Sequence, residues 1–199
     1  DGKTNIVFVG RIVPNKKFED VIACFAAYKE KYDPTARLFL VGNYQETDTY
    51  YQYLQEYIKK CGVKDVIFPG HIAFNAILAY YKIADLFLCM SEHEGFCVPL
   101  VEAMFFETPI VAYASTAIPG TLGGSGVLVE TKEPEMVAET MNRVMQDAEY
   151  RSEILKKQNE RLKDFAYESI RGQILDEIEK VQQSKIDKVR NQNGEEKAD

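Results

Sequence analysis

Short apolar runs alternate with amphipathic stretches through residue 129, and this alternation constrains the fold more than any other feature. Apolar residues within each run are consecutive rather than alternating with polar ones, which predicts strands covered on both faces of their sheet. Strands and helices that alternate in this way form a parallel, doubly wound α/β sheet. The runs lie at 6–9, 38–41, 66–68, 86–90, 110–112 and 127–129, and the stretches between most of them have helical spacing.

The pattern changes after Glu133-Pro134, where only helical spacing remains. One apolar stripe runs from Val137 to Met145 and a second from Ile170 to Val181, and the last residues are polar and charged. We therefore predict an α/β domain over residues 1–150, a helical extension over 151–186 and a disordered tail over 187–199.

Charge and composition exclude several classes of protein. The chain has 199 residues, with 24 Lys and Arg against 31 Asp and Glu, and a net charge of −7 argues against general nucleic-acid binding. A small anionic ligand remains compatible, because local cations and helix amides can outweigh the global charge. The sequence has no run of about 18 apolar residues, so no transmembrane segment is predicted. Four scattered cysteines without a C-x-x-C pair, and no signal-peptide pattern, predict a cytoplasmic protein.

The loop after the first apolar run brings two cations to one turn. Parallel sheets bind ligands at the carboxyl ends of their strands, where the segment from Gly10 to Lys16 is placed. Arg11 offers a guanidinium fork and Lys16 a point charge, and together they could clamp a diphosphate. Two solvated loop charges are the alternative interpretation. The sequence has no G-x-x-x-x-G-K-[ST] motif, which excludes a P-loop.

The loop after the fourth apolar run is the more informative one. Gly95 would let a ligand approach the backbone, and Pro99 suits the first turn of a helix whose amides face an anion. Glu94 and Glu102 flank that turn and could accept hydrogen bonds from neutral hydroxyls on either side of the anion. A helix-start acid and an unrelated surface acid remain the alternative. We interpret His93, between two acids, as a shielded loop histidine.

These residues resemble a known family. G-R-x-x-x-x-K after the first strand and E-G-F-C-V-P-L-V-E-A-M after the fourth are similar to motifs in the carboxyl-terminal domain of GT-B fold, family 4 type (group 1) retaining glycosyltransferases. The segments 68–71 (FPGH) and 108–112 (TPIVA) follow in family order. The resemblance extends over about residues 5–129 and implies one Rossmann-like half of a GT-B fold.

The resemblance implies a nucleotide-sugar donor site without a metal or a cofactor. Arg11 and Lys16 would hold the donor diphosphate and stabilise it as it leaves, and Glu94 would bind donor-sugar hydroxyls; these three form the implied catalytic set. Glu102 would bind the ribose. The implied donor contacts are Gly10, Arg11, Lys16, His71, Ile72, Glu94, Gly95, Phe96, Cys97, Val98 and Glu102, with His71 and Ile72 bordering the base and Phe96 to Val98 supplying amides.

Three positions depart from the family pattern. Glycine is common in the family where Cys97 and Glu107 stand, and an acid is often present where Gly120 stands. We expect the backbone role of Cys97 to be kept. We predict no site role for the loop 118–121.

The function implied by the resemblance is transfer of a hexosyl unit from a UDP- or GDP-sugar to a glycan or lipid-linked acceptor. The amino-terminal acceptor-binding domain is absent from this chain, so the chain alone is expected to bind nucleotide with little turnover. Any association with a membrane surface would come through that missing domain. Two alternatives stay open: a non-catalytic nucleotide-sugar-binding module and a GT-B sugar-nucleotide epimerase.

Overall fold

The structure is a computed structural model that describes residues 2–195, with side chains described through residue 185. It divides into two compact units, Asp1–Arg161 and Leu162–Asp199. None of its described helices is long and apolar enough to cross a membrane.

The first unit is built on a six-stranded sheet in which all strands are parallel, in the order β3-β2-β1-β4-β5-β6. This confirms the predicted doubly wound α/β fold. Every residue of the central strands β1 and β4 is buried, which explains why their sequences are apolar at consecutive positions. The strands are β1 (Asn5–Val9), β2 (Arg37–Val41), β3 (Val66–Ile67), β4 (Leu86–Cys89), β5 (Ile110–Tyr113) and β6 (Val127–Val129).

Several helix ends coincide with residues that favour them, and the segment expected as a loop at 118–121 lies in a short helix. Proline stands in the first turn of α4, α5 and α6, and Gly62 terminates α2 with a φ of 64°. The helices are α1 (Phe18–Lys31), α2 (Thr49–Cys61), α3 (Phe74–Ile83), α4 (Val98–Phe105), α5 (Ile118–Leu122), α6 (Pro134–Gln146), α7 (Ala148–Leu162) and α8 (Tyr167–Glu195).

Strand order reverses between β1 and β4, because β2 and β3 lie to one side of this pair and β5 and β6 to the other. We call this point the switch point, and the edge where the strands end the carboxyl edge. The loops at the carboxyl edge are close together: a Cβ on Gly42, which follows β2, would lie 1.9 Å from the carbonyl oxygen of Gly10 after β1. Such a crevice is where open α/β sheets bind ligands.

Helix α7 packs with the sheet, so the first compact unit extends beyond the predicted domain end at residue 150. Gln158 is fully buried, and its amide nitrogen donates to the Thr108 carbonyl at 2.9 Å. Its amide oxygen accepts from the Ile110 N–H at 3.2 Å. These bonds satisfy backbone groups at the start of β5, which explains why the division falls after Arg161.

The second unit contains α8, whose exposed apolar residues include Ile170, Ile174, Ile178 and Val181. Its backbone is helical through Glu195, which differs from the disordered tail predicted over 187–199. Extending an existing helix carries no nucleation cost, so a polar segment can continue it. Residues 196–199 of the predicted tail lie outside the described residues.

Candidate functional site

The two loops singled out in the sequence meet at the switch point. The Asn15 side-chain amide donates to the His93 carbonyl at 3.0 Å. The Glu92 N–H donates to the Asn15 carbonyl at 3.0 Å. The loop after β1 and the loop after β4 therefore form one hydrogen-bonded surface at the carboxyl edge.

An ion pair lies within this surface. Lys16, at the end of a short 3-10 turn, places its Nζ 2.6 Å from both carboxylate oxygens of Glu94. The Glu94 side chain is 6% exposed and that of Lys16 is 19% exposed, so the carboxylate is almost withdrawn from water. A carboxylate held this way is charged and fixed in orientation, and it remains able to accept further hydrogen bonds.

The amino terminus of α4 lies beside this ion pair. Cys97 precedes the helix with φ 69° and ψ 65°, the left-handed region that favours glycine, which accounts for the glycine common at this position in the family it resembles. Phe96 and Val98 are exposed. A Cβ on Gly95 would meet no atom of the described chain within 4 Å, so the space there is open. Unpaired amides at a helix start favour an anion.

The segment after β5, which includes α5, forms hydrogen bonds with the loop that carries Glu94; that residues 118–121 do not contact a ligand stays a prediction. The Thr121 hydroxyl donates to the Phe96 carbonyl. Thr116 accepts from the Glu94 N–H at 2.9 Å and donates to the Glu94 carbonyl at 3.1 Å. Thr116 has a φ of 41°, a strained value for a β-branched residue. These hydroxyls fix the backbone of the loop that carries Glu94.

Glu102 lies on α4 and is held by a residue that sequence reasoning missed. The hydroxyl of Tyr81, on α3, donates to Glu102 Oε2 at 2.7 Å. Tyr81 is fully buried. In the sequence it is one apolar residue of an amphipathic helix, and no local signal distinguishes its hydroxyl from a ring that only packs.

Two thiols lie beside the ion pair. Ligand atoms of Cys89, Glu94 and Cys97 all lie within 4.8 Å of one another, and all three residues are buried. The hydrogen bond between the two thiols, together with burial, raises the pKa of the Cys97 thiol, and the same hydrogen bond lowers the pKa of the Cys89 thiol. The Glu94 carboxylate in this cluster is already paired with the Lys16 ammonium.

The remaining predicted residues lie along the same edge. Arg11 follows Gly10 after β1 and is exposed. His71 and Ile72 follow β3, two strands from β1, in the turn that leads to α3. The structure thus brings Lys16, Glu94 and the start of α4 together and leaves the β3 turn at the far end of the crevice.

Comparison with known proteins identifies the family. Residues 1–162 match the family described as glycosyl transferases group 1. Mannosylfructose-phosphate synthase of Agrobacterium fabrum is 34% identical over 116 residues, which are 56% of this chain and 25% of that protein. N-acetyl-alpha-D-glucosaminyl L-malate synthase of Bacillus anthracis is 28% identical over 161 residues, covering 79% of this chain and 39% of that protein. The chain therefore spans less than half the length of these curated relatives.

Solved structures agree with this result. The carboxyl-terminal domain of the glycosyl transferase group 1 family protein LpcC from Francisella tularensis has a TM-score of 0.70 and 27% identity, covering 81% of this chain and 85% of that one. Anabaena Alr3699/HepE, solved in complex with UDP and glucose, has a TM-score of 0.75 and 23% identity, covering 89% of this chain and 48% of that one; at this identity it shows the fold alone. The chain belongs to the group 1 family of glycosyl transferases.

Proposed function

We propose that this chain is the donor-binding domain of a retaining glycosyltransferase that moves a hexosyl unit from a UDP- or GDP-sugar to a glycan or lipid-linked acceptor. One observation carries the proposal: the Lys16–Glu94 ion pair lies at the switch point, beside the amino terminus of α4. This places a cation, a helix start and a fixed hydroxyl acceptor within one crevice.

The donor diphosphate would bind where the positive groups converge. Lys16 has three N–H donors, so its ammonium can bind a phosphate oxygen while it keeps a bond to Glu94. Arg11 is exposed on the same loop and can bind phosphate through its planar fork. The amides at the start of α4 add the positive end of a helix dipole. Transfer demands stabilisation of the charge on the departing diphosphate, and fixed positive groups supply it.

The sugar and the ribose would bind on either side of the phosphates. Glu94 is charged, buried and fixed by Thr116 and Lys16, which suits it to accept hydrogen bonds from donor-sugar hydroxyls. Glu102, half-buried on α4, would accept from the ribose. The turn that contains His71 and Ile72 would border the base. In this proposal protein groups balance the diphosphate charge, so the site needs no metal.

Similar proteins support the nucleotide-sugar assignment. HepE has been solved with UDP and glucose and also with UDP-glucose, and Staphylococcus aureus TarM has been solved with UDP. Since this chain spans under half of its curated relatives, the acceptor-binding domain would belong to the remainder of the enzyme. By itself the chain would bind donor and show little turnover.

Thermal unfolding with nucleotides tests this function. The chain is heated with UDP, GDP or ADP and with their common sugar conjugates. A ligand present at 100 times its dissociation constant should stabilise the fold by about 2.7 kcal/mol. We expect stabilisation by the UDP or the GDP series, and we expect Glu102→Ala to reduce it clearly by weakening the affinity. Glu30→Ala is the matched control, because Glu30 is exposed in the last turn of α1, at the opposite edge of the sheet. Stabilisation by none of these ligands would contradict the proposal.

A further inference from the structure

We propose that Tyr81 is a positioning residue for nucleotide binding: its hydroxyl holds one oxygen of Glu102 so that the other oxygen is presented to a ribose hydroxyl. This inference rests on the proposed function, in which Glu102 binds the ribose. Tyr81 lies outside both sequence motifs, and we expect it to affect binding of the ribose but not of the rest of the nucleotide.

The contact joins two helices that flank the sheet. Tyr81 lies in the last turn of α3 and Glu102 in the middle of α4, and the hydroxyl lies 2.7 Å from Glu102 Oε2. Tyr81 is completely buried, whereas Glu102 is half-buried. The carboxylate is thus held by a group from the interior of the protein, on a residue that is itself only partly buried.

The surroundings of Tyr81 keep its hydroxyl in one place. The ring stacks on Phe87 of β4 with a centroid distance of 6.0 Å, and on Phe106 with a centroid distance of 5.6 Å and an interplanar angle of 5°. The carbonyl of Tyr81 accepts a hydrogen bond from the buried Thr108 hydroxyl at 3.2 Å. A donor fixed by packing restricts the rotation of the carboxylate that it binds.

The chemistry of the two groups fits this role. A phenol has one proton to donate, and a carboxylate has two oxygens, so one tyrosine occupies Oε2 and leaves Oε1 for a second donor. Burial and the hydrogen bond to Glu102 raise the pKa of Tyr81, which keeps it a proton donor. A carboxylate already ordered in the free protein loses less conformational entropy when it binds a hydroxyl.

If the Tyr81 hydroxyl only stabilised the fold, removing it would change the affinity for every nucleotide equally. The test therefore compares nucleotides with and without ribose hydroxyls. Calorimetric affinities are measured for UDP, GDP and their 2′,3′-dideoxy counterparts, with the wild-type chain, Tyr81→Phe and Glu102→Ala. We expect Tyr81→Phe to weaken binding of the preferred nucleotide by about three- to tenfold, the range for one lost hydrogen bond of ordinary strength, because Tyr81 acts on the ligand only through Glu102. Its affinity for the dideoxy nucleotide should match that of the wild type. Tyr80→Phe is the control, because the Tyr80 ring packs on Phe39 instead.

The outcomes separate this inference from the proposed function. Suppose that Glu102→Ala weakens binding of the nucleotide but not of its dideoxy counterpart. If Tyr81→Phe then weakens binding of both forms equally, or of neither form, Tyr81 has only a structural role and the inference is wrong. If Glu102→Ala shows no dependence on the ribose, or if no nucleotide binds, the proposed function itself fails at this site and the inference falls with it. In the double variant, Tyr81→Phe should have no further effect on affinity once Glu102 is alanine.

Discussion

Lys16 Nζ lies 2.6 Å from both carboxylate oxygens of Glu94, and this ion pair, together with the hydrogen bonds of Asn15, joins the loops that follow β1 and β4. The two residues are far apart in sequence, and the reversal of strand order makes their strands neighbours. Glu94 is buried, and the ammonium group beside it offsets the cost of withdrawing a carboxylate from water. In the proposed function, the ion pair offers its ammonium group to a phosphate and its carboxylate to a hydroxyl group.

Replacing Lys16 with methionine should reduce both stability and diphosphate binding. The change leaves a buried carboxylate without its cation, and we expect a loss of about 2 kcal/mol in the free energy of unfolding, less than for a fully buried pair because Lys16 is partly exposed. Urea denaturation measures it. Nucleoside diphosphate affinity should fall much more than nucleoside affinity. An equal fall for both ligands would show a general folding defect rather than a lost phosphate contact.

Glu94→Gln should separate recognition of the sugar from recognition of the nucleotide. Glutamine preserves size but removes the charge, so hydrogen bonds from sugar hydroxyls are weakened, by about tenfold in affinity. Titration calorimetry should show this loss for the nucleotide-sugar while the free nucleoside diphosphate binds nearly as before. If both ligands lost affinity to the same extent, Glu94 would not be the sugar-hydroxyl acceptor.

We predict that the hydroxyl of Thr116, and not its methyl group, stabilises the loop that carries Glu94. Valine keeps the β-branched shape and the same backbone strain but leaves the Glu94 N–H without its acceptor, so Thr116→Val should cost about 1 kcal/mol of stability and weaken nucleotide-sugar binding. Thr116→Ser retains the hydroxyl and is the matched control. A serine variant as impaired as the valine variant would argue against the hydroxyl as the cause.

Gly42 should be intolerant of any side chain, in contrast to Gly120. A Cβ at Gly42 would lie 1.9 Å from the Gly10 carbonyl oxygen, so Gly42→Ala must displace the backbone before the switch point and should cost about 3 kcal/mol or more. A Cβ at Gly120 in α5 would meet nothing within 4 Å of the described chain. Gly120→Ala should leave the melting temperature unchanged or slightly raised. Comparable melting temperatures for both variants would refute this packing argument.

The sheet was predictable from sequence because its strands are covered on both faces. Where short runs of consecutive apolar residues, such as Leu86 to Met90, alternate with helices, a parallel sheet with helices on both faces is one of the few folds that buries them. The convergence of Lys16 and Glu94 was predictable for the same reason, since loops at the carboxyl ends of parallel strands share one edge.

Other features depend on tertiary contacts that leave no local pattern. Thr116 forms a hydrogen bond with Glu94, and Gln158 forms one at the start of β5. Both contacts join residues far apart in sequence, and hydrophobic periodicity predicts only local structure. A buried glutamine such as Gln158 resembles any polar residue of an exposed helix until its partners are known. This is why the end of the first compact unit and the role of the loop after β5 required the structure.

The most direct test of the donor-site account is nuclear magnetic resonance of the isotope-labelled chain titrated with UDP and with GDP. Changes in the chemical shifts of backbone amides identify the residues near the bound nucleotide, and the measurement does not require catalytic activity. The account predicts the largest changes at Gly95 to Val98 and at Gly10 to Lys16, with smaller changes at His71 and Ile72. Changes centred elsewhere, for example on β6 and α6, or no changes with either nucleotide at millimolar concentration, would contradict a nucleotide-sugar site at the switch point.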